Sequence, residues 1–197
     1  MNFNKKRKRN NSDTSDEENI EKTINIITKG THIYFYDDVD TPQILELINQ
    51  IKDLESSISI NSSRNQFKPV IHLHLYSYGG DAHLGLSMFD FLQNLSIDVY
   101  TYIDGLIASA ATFIYLGGKK RFMSPYSYIL IHQISTNFWG KFEDLKDEVE
   151  NTTKMMKLCT DIYSKNTTMK KKYIEQILCR ELYLNFDECK KYNFIKE

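Results

Sequence analysis

The hydrophobic positions of this 197-residue chain change period several times. Across residues 31–36 they alternate with polar ones, the two-residue repeat of a strand. Asp40-Thr41-Pro42 reads as a helix start, because proline is tolerated in the first turn, and Ile44, Ile48 and Ile51 then return on one helical face. Residues 56–68 are polar and irregular, a predicted surface loop. Alternation resumes over 70–76, where His72 and His74 share the face opposite Ile71, Leu73 and Leu75. Beyond the turn Ser77-Tyr78-Gly79-Gly80-Asp81, the spacing of Leu84, Met88, Phe91 and Leu92 predicts an amphipathic helix. A strand over 99–103, a short buried helix over 107–116 stopped by Gly117-Gly118, and a strand over 127–132 follow. A long charged helix from Phe142 to about Tyr163 carries Leu145, Val149, Met156 and Cys159 at helical spacing, and two short helices near 171–178 and 186–192 close the chain. Strands alternating with helices predict an α/β domain.

Composition narrows this picture. At 41% hydrophobic residues, a chain of this length forms one domain that buries roughly 70% of its unfolded surface. Folded structure is expected over 24–197, and residues 1–23 read as a disordered charged tail. There Lys5-Lys6-Arg7-Lys8-Arg9 precedes an acidic stretch around Asp16-Glu17-Glu18, with too little apolar surface to offset ordering. The basic block admits a nuclear-import or nucleic-acid reading beside that of a solvated tail, and Ser15 is placed for phosphorylation. A formal net charge of −1 gives the folded part no reason to seek nucleic acid or an acidic membrane. The chain starts without a secretory signal, and no apolar run is long enough to span a bilayer. Cys159, Cys179 and Cys189 are odd in number and widely spaced, which predicts free thiols in a reducing, cytoplasmic setting. His72 and His74 have no evident third ligand, so histidines on a sheet face are expected rather than a metal site.

Three segments carry candidate chemistry. Ser109 lies in Ile107-Ala108-Ser109-Ala110-Ala111, at a predicted helix start where unpaired N–H groups favour developing negative charge. His132 ends the apolar run Leu130-Ile131-His132, and Gly79 lies in a turn whose missing side chain lets a carbonyl approach the main chain. A nucleophile, a base and backbone oxyanion donors are what amide hydrolysis requires. Each segment also has an ordinary reading: a helix N-cap for Ser109, a core histidine for His132 and a simple turn for Gly79-Gly80.

Taken together and in this order, the Gly-Gly turn, the alanine-flanked serine and the Ile-His-Gln strand end resemble the proteolytic subunit family of the Clp protease, over about residues 33–195. The resemblance implies a crotonase-like spiral of ββα units and a serine endopeptidase acting on extended polypeptides. Ser109 aligns with the nucleophile, His132 with the general base, and Gly79 and Ala110 with the oxyanion donors. Glu181, in Arg180-Glu181-Leu182, stands where the family has an aspartate, with Asp187 the nearest competing acid. The implied substrate walls are Gly80, Asp81 and Ala82 on one side and Ile134 and Ser135, running on to Phe138, on the other. The pair Phe138-Trp139 reads equally well as core. No metal or organic cofactor is implied in bond cleavage. The implied partners are copies of the chain in stacked heptameric rings, joined through the long helix, and an AAA+ unfoldase. Tyr78 and Ile134 replace family prolines, the former as in divergent phage- or virus-type members, and the turn at 117–120 is two residues short. The alternatives are a catalytically inactive ring or scaffold subunit and an acyl-CoA-handling enzyme of the same fold.

Overall fold

The computed structural model describes residues 25–62 and 69–197; the predicted tail and the last part of the predicted 56–68 loop lie outside the described residues. A mixed sheet of seven strands forms the centre of the single α/β domain. Strand β1 (Ile26–Lys29) pairs antiparallel with β2 (His32–Phe35), which runs parallel to β3 (Val70–Ser77). Next in the sheet comes the long β4 (Asp98–Ala108), parallel to β3. Its first half pairs with β5 (Lys120–Met123) and its second with β6 (Tyr128–Leu130), which in turn pairs with the short β7 (Tyr183–Leu184).

Strand β4 exchanges partners at Asp104-Gly105. Gly105 has φ +98, a conformation open to glycine at little cost. The buried Ser127 hydroxyl spans the break, donating to Ile103 O at 3.1 Å and accepting from the Gly105 N–H at 2.9 Å. With the break satisfied, β4 continues to Ala108.

Alternation in β3 buries Ile71, Leu73, Leu75 and Ser77. This row joins Ile44, Leu47 and Ile51 of helix α1 (Thr41–Ser62), Met88 and Leu92 of α2 (Ala82–Gln93) and Phe113 and Ile114 of α3 (Ala111–Leu116) in one core. On the opposite face, His72 and His74 enter a layer of rings with His32, Tyr34 and Tyr102, several stacked at 4.4–4.6 Å between centroids. His74 is hydrogen-bonded to His32 at 3.0 Å and to Asp104 at 2.9 Å. Burial acts to raise the Asp104 carboxyl, but hydrogen bonds from His74 and Tyr36 outweigh it and hold the group below its ordinary value.

Three expectations are corrected. Helix α1 runs on to Ser62 through the first part of the predicted loop, where Glu55 is held by Lys52 one turn back and by the Ser96 hydroxyl after α2. Residues 107–110 are not helical: Leu106, Ile107 and Ala108 pair with β6, so sheet pairing overrides the local helical pattern and α3 starts at Ala111. The predicted turn at Lys119-Lys120 leads directly into β5. Its Arg121 is buried, with the guanidinium donating to Asn166 O and Asn193 O, both at 3.0 Å.

The remaining helices are α4 (Phe142–Asn166), α5 (Lys171–Leu178) and α6 (Phe186–Lys191). Only the C-terminal part of α4 is buried, at Cys159, Thr160 and Tyr163, while Phe142, Leu145 and Val149 are exposed. Phe138 and Trp139 are exposed too, so the core reading of that pair fails. No described helix is long and apolar enough to cross a membrane.

Replacing Ser127 with alanine removes both hydroxyl bonds at the β4 break: the Gly105 N–H loses its protein acceptor, and Ile103 O keeps only its 3.3 Å bond from the Ser124 N–H. The expected loss is about 1–3 kcal/mol of stability, read as a fall in the denaturation midpoint at unchanged denaturant dependence.

Candidate active site

The site forms where β4 ends. Ser109 is the first residue past the strand and has φ +52, in the left-handed region that non-glycine residues rarely occupy. Its N–H donates to Leu130 O at 2.9 Å, carrying the β4–β6 ladder one residue further. Its carbonyl accepts from the Thr112 N–H at 3.0 Å and the Thr112 hydroxyl at 2.6 Å. Ser109 therefore stands in a sharp strand-to-helix turn and not at the N-cap, which is Ala110 and makes no side-chain capping bond. The N-cap reading of the serine is excluded. Such a turn lifts the side chain off the end of the sheet, and the following N–H groups belong to the unpaired start of a helix.

Two glycines allow the approach of neighbouring elements. A Cβ on Gly79, whose φ is +98, would lie 2.7 Å from both Ala108 O and Ser109 Cβ, and 3.1 Å from Ala110 N. Gly79 and Ala110 are thus brought together around Ser109. The Gly79 N–H donates to Ser77 Oγ at 3.1 Å. In α2, a Cβ on Gly85 would stand 2.5 Å from Ala110 O, so this helix rests directly on the turn.

His132 lies two residues past β6. The next N–H, that of Gln133, donates to Leu178 O at 2.7 Å, and the N–H of Ile134 points to Met156 Sδ at 3.3 Å. Helices α5 and α4 therefore fix the chain on the far side of the histidine. Glu181 Oε1 lies 3.6 Å from His132 Nδ1, within ion-pair reach and beyond hydrogen-bond length. His132 Nδ1 is buried without a hydrogen-bond partner, whereas the Glu181 side chain is 72% exposed. Asp187 is exposed in the first turn of α6, and Glu181 is the acid beside His132 among the described residues.

Ser109 and His132 open into one cleft of about 990 Å³. Gly80, Asp81 and Ala82 line one part of it, Ile134 and Ser135 another. Asp81 is otherwise engaged: its N–H donates to Val39 O, and its carboxylate caps α2 through the N–H groups of His83 and Leu84. The floor includes Phe113, Met155, Cys159 and Tyr163. The two from the end of α4, Cys159 and Tyr163, went unnoticed as site residues in the sequence, although their four-residue spacing places both on the buried face of one helix. Phe138 lines an adjoining hollow of about 490 Å³ with Leu145, Val149 and Met156, and not the cleft. No cluster of three or more potential metal ligands occurs among the described residues.

The Clp protease family model matches residues 15–197. The chain belongs to the Clp protease family. It is 33% identical over 133 residues to an ATP-dependent Clp protease proteolytic subunit 2 from Borreliella burgdorferi, covering 66% of this chain and 67% of that protein. Over 153 residues it is 29% identical to the ATP-dependent Clp protease proteolytic subunit of Zea mays, covering 76% of this chain and 69% of the relative. A solved structure of a ClpP1 mutant from Listeria monocytogenes superposes with a TM-score of 0.72 at 21% identity, over 84% of this chain and 89% of that one, which establishes the ClpP-like fold.

Among the described thiols, Cys179 is exposed while Cys159 and Cys189 are buried and free. Burial pushes the Cys159 thiol up to about 11 and the Cys189 thiol up to about 12, so both stay protonated at pH 8. Iodoacetamide at pH 8 is expected to modify Cys179 first in the folded protein. Peptide mass mapping checks the order, and early modification of Cys159 would mean that the cleft floor is open.

Proposed function

We propose that the protein is a serine endopeptidase that cleaves extended polypeptides as the proteolytic subunit of an ATP-dependent Clp-type protease. The observation that carries this reading is Ser109, held in a left-handed strand-to-helix turn and opening into the same cleft as His132. His132 takes the Ser109 proton as Oγ attacks the peptide carbonyl. The C–N bond then breaks as the imidazolium passes that proton to the leaving amine. Water, deprotonated by the same imidazole, hydrolyses the acyl-enzyme and restores the serine. The oxyanion rests on the N–H groups of Ala110 and Gly79, the latter exchanging its bond to Ser77 Oγ for the substrate oxygen. Glu181 closes from 3.6 Å to hydrogen-bond length on His132 Nδ1–H and fixes the tautomer that leaves Nε2 facing the serine.

The substrate adds as a strand between the Gly80 and Ala82 segment and Ile134 with Ser135, so main-chain pairing supplies affinity and sequence preference stays loose. The exposed Phe142, Leu145 and Val149 of α4, with Phe138 and Trp139, form the surface that copies of the chain cover in a ring assembly. An ATP-driven unfoldase supplies substrate, in keeping with the ATP-dependent designation of the relatives.

The bond from Gly79 N–H to Ser77 Oγ and the unpartnered His132 Nδ1 favour a second reading, a catalytically inactive ring subunit. A fluorophosphonate separates the two. Rapid labelling of Ser109 that is lost in Ser109→Ala supports the peptidase, and absence of labelling in assembled protein supports the inactive subunit. His132→Ala is expected to reduce peptide cleavage by roughly 10⁴ to 10⁶-fold, about as much as loss of the serine. Glu181→Gln should lower kcat by about 10² to 10⁴-fold without altering sedimentation, while Asp187→Asn stays within a few-fold of the parent; the reverse pattern would move the role to Asp187.

A further inference from the structure

A left-handed conformation costs a non-glycine residue about 1–2 kcal/mol, so something must hold Ser109 there. The Leu130 carbonyl holds its N–H, and Thr112 holds its carbonyl twice over. Thr112 does not act alone. Its Oγ1 lies 2.6 Å from the hydroxyl of Tyr163, on α4, and both side chains are buried, at 0% and 2% exposure.

The direction of this second bond follows from proton counting. A threonine hydroxyl has one proton, and the Ser109 carbonyl can only accept, so that proton is spent on Ser109 O. Tyr163 must therefore donate to Thr112 Oγ1. Burial pushes the Tyr163 phenol above its ordinary value, which keeps it a neutral donor across the working pH range. Tyr163 is itself held in place: its ring packs 5.3 Å from that of Phe113, and its backbone carbonyl accepts both the N–H and the hydroxyl of Thr167 at the end of α4. The result is a one-way chain of donors, Tyr163 to Thr112 to Ser109 O, running from α4 to the strained turn.

We propose that Thr112 and Tyr163 are positioning residues that set the Ser109 hydroxyl for attack, so that the seating of the C-terminal part of α4 is felt at the nucleophile. This rests on the reading of Ser109 as nucleophile. Neither hydroxyl takes part in bond making. Their contribution is to narrow the orientations of the serine, and a displacement of about 1 Å at a reacting atom can cost about 10²-fold in rate.

The test measures the rate of Ser109 acylation by a fluorophosphonate, and kcat and KM on a small peptide, per folded chain after size-exclusion chromatography. Thr112→Val, which removes both links, is expected to slow acylation and kcat by about 10–100-fold with KM within about twofold. Tyr163→Phe, which removes only the outer link, should slow both by about 3–10-fold, and Thr112→Ser should restore them to within about threefold of the parent. In the double variant the Tyr163 effect should vanish, since the chain is already broken at Thr112. Should Thr112→Val fail to fold, Tyr163→Phe and Thr112→Ser, nearly unchanged in volume, carry the comparison. Acylation rates that stay at the parental value in Tyr163→Phe and Thr112→Val, whatever happens to thermal stability, would overturn the relay alone. A parent chain that is never labelled at Ser109 would overturn the nucleophile reading itself.

Discussion

The site depends on β4 keeping its course after changing neighbours. Strand β4 pairs with β5 over Tyr100–Ile103 and with β6 over Leu106–Ala108, and two parallel partners on one edge require a break in the ladder. Gly105 supplies the backbone freedom and Ser127 supplies the missing donor and acceptor. Because both polar groups at the break are hydrogen-bonded to Ser127, the break carries little penalty. The strand then reaches Ala108, and the next residue is thrown into the sharp turn that presents Ser109 to the cleft.

Around that turn, elements distant in sequence meet through close backbone contacts more than through side-chain bulk. Gly79 and Gly85 let the loop after β3 and helix α2 come against Ala108, Ser109 and Ala110 at distances no larger residue would tolerate. On the other side, Thr112 and Tyr163 tie the turn to α4, and Leu178 and Met156 hold the segment after His132. Every wall of the cleft is thus anchored to the same core. Two polar groups stay adjustable: Glu181, mostly exposed at 3.6 Å from His132, and the buried Gly79 N–H, lent to Ser77 Oγ. In the proposed mechanism these two groups complete the site as substrate enters. The rest is built before binding, as electrostatic stabilisation of a transition state demands.

Alternation in β2 and β3, the apolar spacing of α2 and the candidate residues Gly79, Ser109 and His132 were all legible in the chain, because each is a local property. A strand with one buried face must alternate, and an amphipathic helix must repeat its apolar face. The family resemblance rested on the same short segments, and it led to Glu181 beside His132 and to the two sides of the cleft. Where the local pattern failed, a distant partner had overruled it. Ile107 and Ala108 fall in the predicted helix yet pair with β6, and Lys120, the end of the predicted turn, opens β5.

The chain by itself determined an α/β domain, the order of its main elements and the residue types able to perform acyl transfer, since periodicity and side-chain chemistry are written residue by residue. Tertiary structure alone decided that Ser109 stands in a left-handed turn rather than at a helix cap. It decided that Arg121 is buried under the carbonyls of Asn166 and Asn193, and that Tyr163 reaches Thr112 from α4. Each of these depends on a hydrogen bond between segments far apart in the chain, for Ser109 that of its N–H to Leu130 O, and the geometry of such a bond exists only once the core has packed them together.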